Sequence, residues 1–273
     1  MVSITSEIRS EGRRIGLVPT SGALHEGHLS LMSRARELSD TVIVSIFSNP
    51  MVDEGSDKAS VDLPRDAELA FTRGVDFIFA PSPDDVFPEG FSTSVTVEGL
   101  SARLEGATRP GYFRAITTVA NKLLNVVAPH FAFFGRKDAQ QVVIVKRMVR
   151  ELAMSVEIVV CPTVREEDGL ALSSMNVNLN TEERKAATVL RRALERCLSL
   201  YNGGEREAAR LIASMRSVIE GEPLARIDYV AVTDIDRLDP VDAVPVSSPT
   251  LVSLAVYIGA TRLTDNIVLN GEL

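Results

Sequence analysis

Residues 15–47 read IGLVPTSGALHEGHLSLMSRARELSDTVIVSIF, and the order of periodicities in this stretch decides the fold. Ile15 to Val18 is a short apolar run of the kind that forms a buried strand. From Glu26 to Ser39 the apolar residues Leu29, Met32, Ala35 and Leu38 recur at helical spacing. Thr41 to Phe47 is β-branched and almost wholly apolar, as a parallel strand covered by helices on both faces must be. Together they form a βαβ unit. The turn between its first strand and its helix gathers backbone N–H groups and the positive end of a helix dipole, which favours an anion. His25 and His28, three residues apart, share a face of the first helical turn, where a cationic or N–H-donating imidazole suits a nucleotide phosphate. Other readings stay open at this point. A histidine at a helix start is frequently a cap or a satisfied surface group, and a pair is sometimes part of a metal site. The zinc-protease pattern, however, needs histidines four apart and a third ligand, and the only other histidine is His130.

Working outward, strand and helix patterns continue to alternate. Pro64 to Arg73 is helical, Val75 to Ala80 a strand, and Ser94 to Glu98 a short strand followed by a polar loop from Gly99 to Gly111. From Phe113 the residues Ile116, Val119, Ala120, Leu123, Leu124 and Val127 form one helical stripe. His130 to Gly135 and Val156 to Val160 read as strands flanking a helix from Gln141 to Leu152. This rhythm predicts an α/β fold, a Rossmann-like doubly wound parallel sheet. Ser48 to Leu63, rich in Ser, Asp and Gly, reads as a loop leaving the carboxyl end of the second strand, the edge where open sheets bind ligands; a plain surface connection is equally compatible.

After Leu172 the character changes. Thr181 reads as an N-cap, with one helix over Glu183 to Tyr201, a second over Glu205 to Ile219, and strands over Asp228 to Thr233, Leu251 to Tyr257 and Asn266 to Leu269. The expected division is a Rossmann-like domain over 1–175 and a smaller C-terminal α+β domain over 176–273.

Composition narrows the function. With 29 basic and 37 acidic side chains the chain carries −8, which argues against broad binding to nucleic acid or anionic membrane while leaving room for a local basic pocket. Two cysteines, Cys161 and Cys197, make no disulfide framework or zinc spacing. Neither an apolar leader pattern nor a membrane-spanning run is evident, so a cytoplasmic protein is expected.

Three loops are expected at one sheet edge: residues 19–28, 135–141 and 163–175. The second offers Lys137, a point charge for phosphate, and Asp138, an acceptor for a ribose hydroxyl or magnesium; the third offers the hydroxyls of Ser173 and Ser174. Taken singly, Lys137-Asp138 is an ordinary solvated pair and Ser173-Ser174 an ordinary cap. No G-x-G-x-x-G follows the first strand, and neither a P-loop nor a G-x-S-x-G elbow occurs. What remains, H-x-G-H with a later basic and serine-bearing loop, resembles the nucleotidyltransferase superfamily, whose members bind ATP through a HIGH motif and a KMSKS-like loop.

Within that superfamily the chain resembles the pantothenate synthetase, or pantoate–β-alanine ligase, family. PTSGALHEGHLSL, SIFSNP, PRD at 64–66, FAPS at 79–82, PEGF at 88–91, GRKDAQQ and PTVREEDGLALSSMN match that family's segments in the same order over essentially the whole chain. The resemblance implies ATP and Mg2+, activation of pantoate as an acyl-adenylate with pyrophosphate release, and attack by the amine of β-alanine with release of AMP. It implies that His25, His28, Lys137, Ser173 and Ser174 stabilise charge on the phosphates. Ser21, Gly22, Ala23, Leu24, Gly27, Gly135, Arg136, Asp138, Val164, Leu172 and Met175 would form the nucleotide site, with Gly135 and Asp138 at the ribose and the Val164 backbone at the adenine. Asn49, Val52, Gln141 and Arg109 would face the acid and amine. A homodimer is implied too, and a C-terminal domain that closes over the labile adenylate.

Departures from the family cluster in the same places. Ser21 replaces a methionine, Val52 and Asp53 a glutamine and a phenylalanine, Leu63 a tyrosine, Tyr112 a histidine, Arg136 a glutamate and Met175 an arginine. Losing a hydrogen-bonding side chain at 52 can shift substrate preference, and losing a cation at 175 can slow the chemistry, with Arg136 as a replacement charge. Related ligases for a different acid or amine, a catalytically weak nucleotide-binding homologue and a simple adenylyltransferase are the alternatives.

Overall fold

The computed structural model describes residues 1–52 and 62–273. Most of the expected 48–63 loop, Asp53 included, lies outside the described residues. The chain opens with α1 (Val2–Ser10), β1 (Ile15–Thr20), α2 (Glu26–Leu38) and β2 (Thr41–Ile46). It continues through α3 (Leu63–Phe71), β3 (Phe77–Phe79), the single turns α4 (Pro83–Val86) and α5 (Glu105–Thr108), and α6 (Tyr112–Val127). The last pieces of the first layer are β4 (Phe131–Gly135), α7 (Ala139–Glu151) and β5 (Glu157–Cys161). These strands form a five-stranded parallel sheet in the order β3-β2-β1-β4-β5. The chain winds outward from β1 to β3, then crosses back to β4, so the reversal opens a crevice at the carboxyl ends of β1 and β4. Ile15, Leu17 and Val18 are fully buried there, as the apolar run required.

A second sheet, β6 (Ala225–Asp234), β7 (Thr250–Ile258) and β8 (Thr261–Leu269), is antiparallel and three-stranded. It follows α8 (Thr181–Ala186), α9 (Val189–Asn202) and α10 (Ala208–Glu220). Leu190, Leu194, Leu211 and Met215 pack against Val252, Leu254 and Val256 in one core. Leu251, by contrast, belongs to the core built on β1, β4, α6 and α7, so the small sheet is cemented to the larger one.

Four local expectations are corrected. Ser94–Glu98 forms no strand: Thr118 Oγ1 accepts from the Val95 amide at 3.0 Å and Thr117 Oγ1 donates to its carbonyl at 2.6 Å, so side chains of α6 take the place of a ladder. The helix expected over 183–201 is two, because Thr188 Oγ1 donates to the Lys185 carbonyl at 2.8 Å and competes with the backbone at the break. Asn180, with Glu183 completing a capping box, caps α8 in place of Thr181. Finally, β8 begins at Thr261 and not near Asn266. Its first half, TRLTD, lacks the apolar signature because its charged residues are buried in ion pairs.

The turn after β1 is held from α3. Asp66 is fully buried, and its carboxylate accepts from the amides of Ala23 at 2.8 Å and Leu24 at 2.9 Å. Gly22 and Ala23 there have φ of +90° and +51°, a left-handed path that glycine permits at 22 and the clamp enforces at 23. Replacing Asp66 by Ala leaves the buried Leu24 amide and the half-buried Ala23 amide without their acceptor, at about 1–3 kcal/mol for each such group. Chemical denaturation of Asp66→Ala should therefore show a loss of at least about 2 kcal/mol; wild-type stability would mean that the clamp contributes nothing.

Candidate active site

The crevice leads into a cleft of about 680 Å³ bounded by both sheets. Ser21, His25, Gly27 and His28 line it from the first turn, and Asn49 and Val52 from the end of β2. Gly135, Lys137, Asp138 and Gln141 line it from the β4–α7 junction, and Val164, Leu172, Ser173, Ser174 and Met175 from the loop after β5. Arg109 and Tyr112 complete one wall. Gly22, Ala23, Leu24 and Arg136 lie outside this lining. The amides of Ala23 and Leu24 are committed to Asp66, which removes them as donors to a bound anion. The turn instead presents imidazoles.

Their chemistry follows from their contacts. His25 is the N-cap of α2, and its Nδ1 accepts from the Gly27 amide at 3.1 Å. His28 Nδ1 accepts from the His25 amide at 3.4 Å. The rings stack with centroids 4.0 Å apart. A Cβ on residue 27 would sit 2.8 Å from His25 Cε1, so only glycine admits this packing. With both Nδ1 atoms accepting, each neutral ring carries its proton on Nε2 and is a donor there. Burial is the main reason that both pKa values fall, helped at His25 by Lys137 and at His28 by His25; His28 is lowered to about 3. Of the two expected forms, the neutral donor is therefore the one present near pH 7.

Lys137 supplies the positive charge. Its Nζ lies 3.4 Å from Asp138 Oδ1 and 3.5 Å from Thr264 Oγ1 of β8. The loop after β5 is a tight ribbon: the Leu172 amide donates to the Val164 carbonyl at 3.0 Å, and Ser173 Oγ accepts from the Met175 amide at 3.3 Å. Met175 joins the apolar edge of the second core. Asn49 is buried, donating from Nδ2 to the Ala115 carbonyl at 3.2 Å while its Oδ1 accepts from the Met51 amide. The Arg109 guanidinium lies 3.8 Å over the Tyr112 ring, and burial pushes the Tyr112 hydroxyl up to about 12, keeping it a neutral donor.

Sequence reasoning missed the wall contributed by the small sheet. Tyr257, Arg262, Thr264 and Asp265 line the cleft, as does Glu105 opposite them. Arg262 grips Glu105 through two bonds of 2.7 and 2.8 Å and also reaches Asp228 at 2.6 Å. The signal was the Gly259-Ala260 turn, which mirrors β7 into a hairpin and extends β8 back to residue 261.

The family model described as pantoate-beta-alanine ligase matches residues 1–268. Among curated relatives, the pantothenate synthetase of Pelotomaculum thermopropionicum is 51% identical over 270 residues, covering 98% of this chain and 95% of that protein. That of Roseiflexus castenholzii is 52% identical over 258 residues, covering 93% and 92%. The crystal structure of pantothenate synthetase from Thermus thermophilus superposes with a TM-score of 0.89 at 42% identity, covering 96% of each chain. A pantoate-beta-alanine ligase from Francisella tularensis, crystallised with beta-gamma ATP and beta-alanine, gives 0.77 at 31% identity, covering 98% and 95%.

A pH dependence follows from the buried imidazoles. The folded chain holds His28 near 3 while an unfolded histidine titrates near 6.5, so as pH falls below 6.5 the unfolded state takes up the proton first and stability drops. Between pH 7 and pH 5 this amounts to on the order of 2 kcal/mol from His28, a contribution that His28→Gln removes. Thermal unfolding of both proteins across that range checks it; parallel curves would show that His28 is not buried neutral.

Proposed function

The chain belongs to the pantoate–β-alanine ligase family and is an AMP-forming carboxylate–amine ligase of pantothenate biosynthesis; from that premise we propose how its own residues carry out the reaction. Pantoate and ATP bind together in the cleft, which converts their encounter into an intramolecular step. A pantoate carboxylate oxygen attacks the α-phosphorus, the bond to pyrophosphate breaks, and negative charge spreads over the phosphate oxygens. The Nε2–H groups of His25 and His28, the Lys137 ammonium and the hydroxyls of Ser173 and Ser174 meet that charge. The observation that carries this reading is the pair of neutral imidazoles, each held by its Nδ1, lining one cleft with Lys137 and both serines. Fixed donors of this kind need no reorganisation as the charge develops.

In the second half, the amine of β-alanine attacks the acyl carbon, the bond to AMP breaks, and the amine gives up a proton. Gln141, Asn49 and Arg109 hold the acid and amine, Gly135 and Asp138 the ribose, and the Val164 backbone the adenine. Gly22, Ala23 and Leu24 serve the nucleotide indirectly by shaping the turn, and Arg136 stands outside the cleft. Asp138, whose carboxylate lines the cleft beside Lys137, would hold Mg2+, which would supply charge neutralisation at the triphosphate. Residues 176–273, whose small sheet walls the cleft, act as its cover, and Phe71 of α3 and Phe77 of the edge strand β3, both exposed, support a homodimer. The two free, buried cysteines accord with the cytoplasm.

Incubation with ATP, Mg2+, pantoate and β-alanine, with each omitted in turn, tests the reading. AMP and pantothenate should appear in equal amounts only when all are present, and Lys137→Ala should lower kcat by about 10²–10³. Pyrophosphate exchange with another acid but not with pantoate would overturn the substrate assignment.

A further inference from the structure

We infer that three successive residues of β8, Thr264, Asp265 and Asn266, are positioning residues that fasten the two cleft loops to each other through the small sheet; the inference rests on the roles proposed above for Lys137 and the serine loop. Asn266 is buried at 6% exposure in β8, so its side-chain amide needs hydrogen-bond partners. Its Nδ2 donates to the carbonyls of Arg136 at 3.0 Å and Lys137 at 2.7 Å, pinning the backbone of the turn that carries Lys137. Thr264, two residues earlier and therefore on the same strand face, accepts from Lys137 Nζ at 3.5 Å. The lysine is thus held at both its backbone and its ammonium by one strand. The pinned backbone and the contact at the ammonium narrow the positions open to the lysine before substrate arrives.

Asp265, on the other face of β8, serves the second loop. It is 3% exposed and grips Arg165 through two bonds of 2.7 and 2.9 Å, while Arg165 also donates to the Gly169 carbonyl at 3.0 Å. Arg165 pairs with Ala171 across the ribbon that leads into Ser173 and Ser174. Alternation along one strand therefore sends neighbouring side chains to different loops, and the rigid rise of about 3.3 Å per residue sets the spacing between the lysine turn and the serine ribbon. A shift of about 1 Å between catalytic groups can cost about 10²-fold in rate, which gives this arrangement its consequence.

The experiment is a set of double-mutant cycles on the full chain, read as kcat with thermal unfolding alongside. Asn266→Asp keeps the shape but removes both donors, and Thr264→Val keeps the shape but removes the acceptor. Each should lower kcat about tenfold, with Thr264→Ser recovering most of the loss. In a Lys137→Ala background both losses should shrink to less than about twofold, because the residue they position is gone. Asp265→Asn should lower kcat as much in that background as in the wild type. Equal losses from Asn266→Asp and Thr264→Val in both backgrounds, or wild-type kcat in both variants, overturns the assignment to Lys137. Disappearance of the Asp265→Asn effect in the Lys137→Ala background overturns its assignment to the serine loop. Should Asn266→Asp fail to fold, the Thr264 series decides alone. Wild-type turnover by Lys137→Ala would overturn the functional reading itself, a result distinct from any failure confined to β8.

Discussion

A buried turn can present side chains to a ligand only if its own amides are satisfied, and in this chain Asp66 meets that requirement. Its carboxylate accepts from Ala23 and Leu24 from beneath the turn, at the cost of burying the side chain completely. Where an anion site at a helix start usually turns free amides to the ligand, this turn has its amides committed and lines the cleft with imidazoles. His25 and His28 each use Nδ1 to accept from backbone, so the tautomer of both rings is set by the main chain of the same turn. Burial then keeps them neutral. Two Nε2–H donors result, without the mutual repulsion that two adjacent imidazolium ions would suffer.

Lys137, the cation beside these rings, depends on a different part of the chain. The parallel sheet delivers its backbone to the carboxyl edge of β4, but the small sheet completes its surroundings through Thr264 and Asn266. Largely desolvated ion pairs join β8 to the first layer: Arg165, in the loop after β5, with Asp265, and Glu105 of α5 with Arg262, which Asp228 of β6 also holds from within the small sheet. Pairs this desolvated are weak sources of net stability, since desolvation offsets most of the attraction. Their bidentate geometry makes them strong determinants of orientation. Such an interface fits a domain whose position matters more than its affinity.

The departures from the family pattern take on physical meaning in this setting. Met175 lines the cleft while packing on the apolar edge of the second core, and Arg136 lies outside the cleft. Of the three cations that line the cleft among the described residues, Arg262 is engaged by Glu105 and Asp228, which leaves Lys137 and Arg109, the latter held over Tyr112. Tyr112 stands where the family has a histidine and keeps a neutral hydroxyl at the same wall. Val52 leaves the end of β2 with less hydrogen-bonding capacity, while Asn49 remains tied to the Ala115 carbonyl.

Periodicity alone was enough for the parallel sheet. Apolar runs at 15–18, 41–47 and 130–135, separated by helical stripes, admit few other folds, and β1, β2 and β4 form where they stand. The H-x-G-H turn, Lys137 and the paired serines were legible for a related reason: each sits after a strand, at the edge the topology exposes. What the sequence could not determine was any feature created by contacts between distant segments. Nothing in the sequence marks Asp66 as fully buried, and the last strand is expected only from Asn266 because the charges of TRLTD find Glu105, Asp228 and Arg165 only in the folded chain. The segment at 94–98 reads as a strand until α6 takes its backbone groups. Local pattern reports which face of an element is apolar; only the tertiary structure decides which polar groups become buried, and with them which protons and charges the cleft presents.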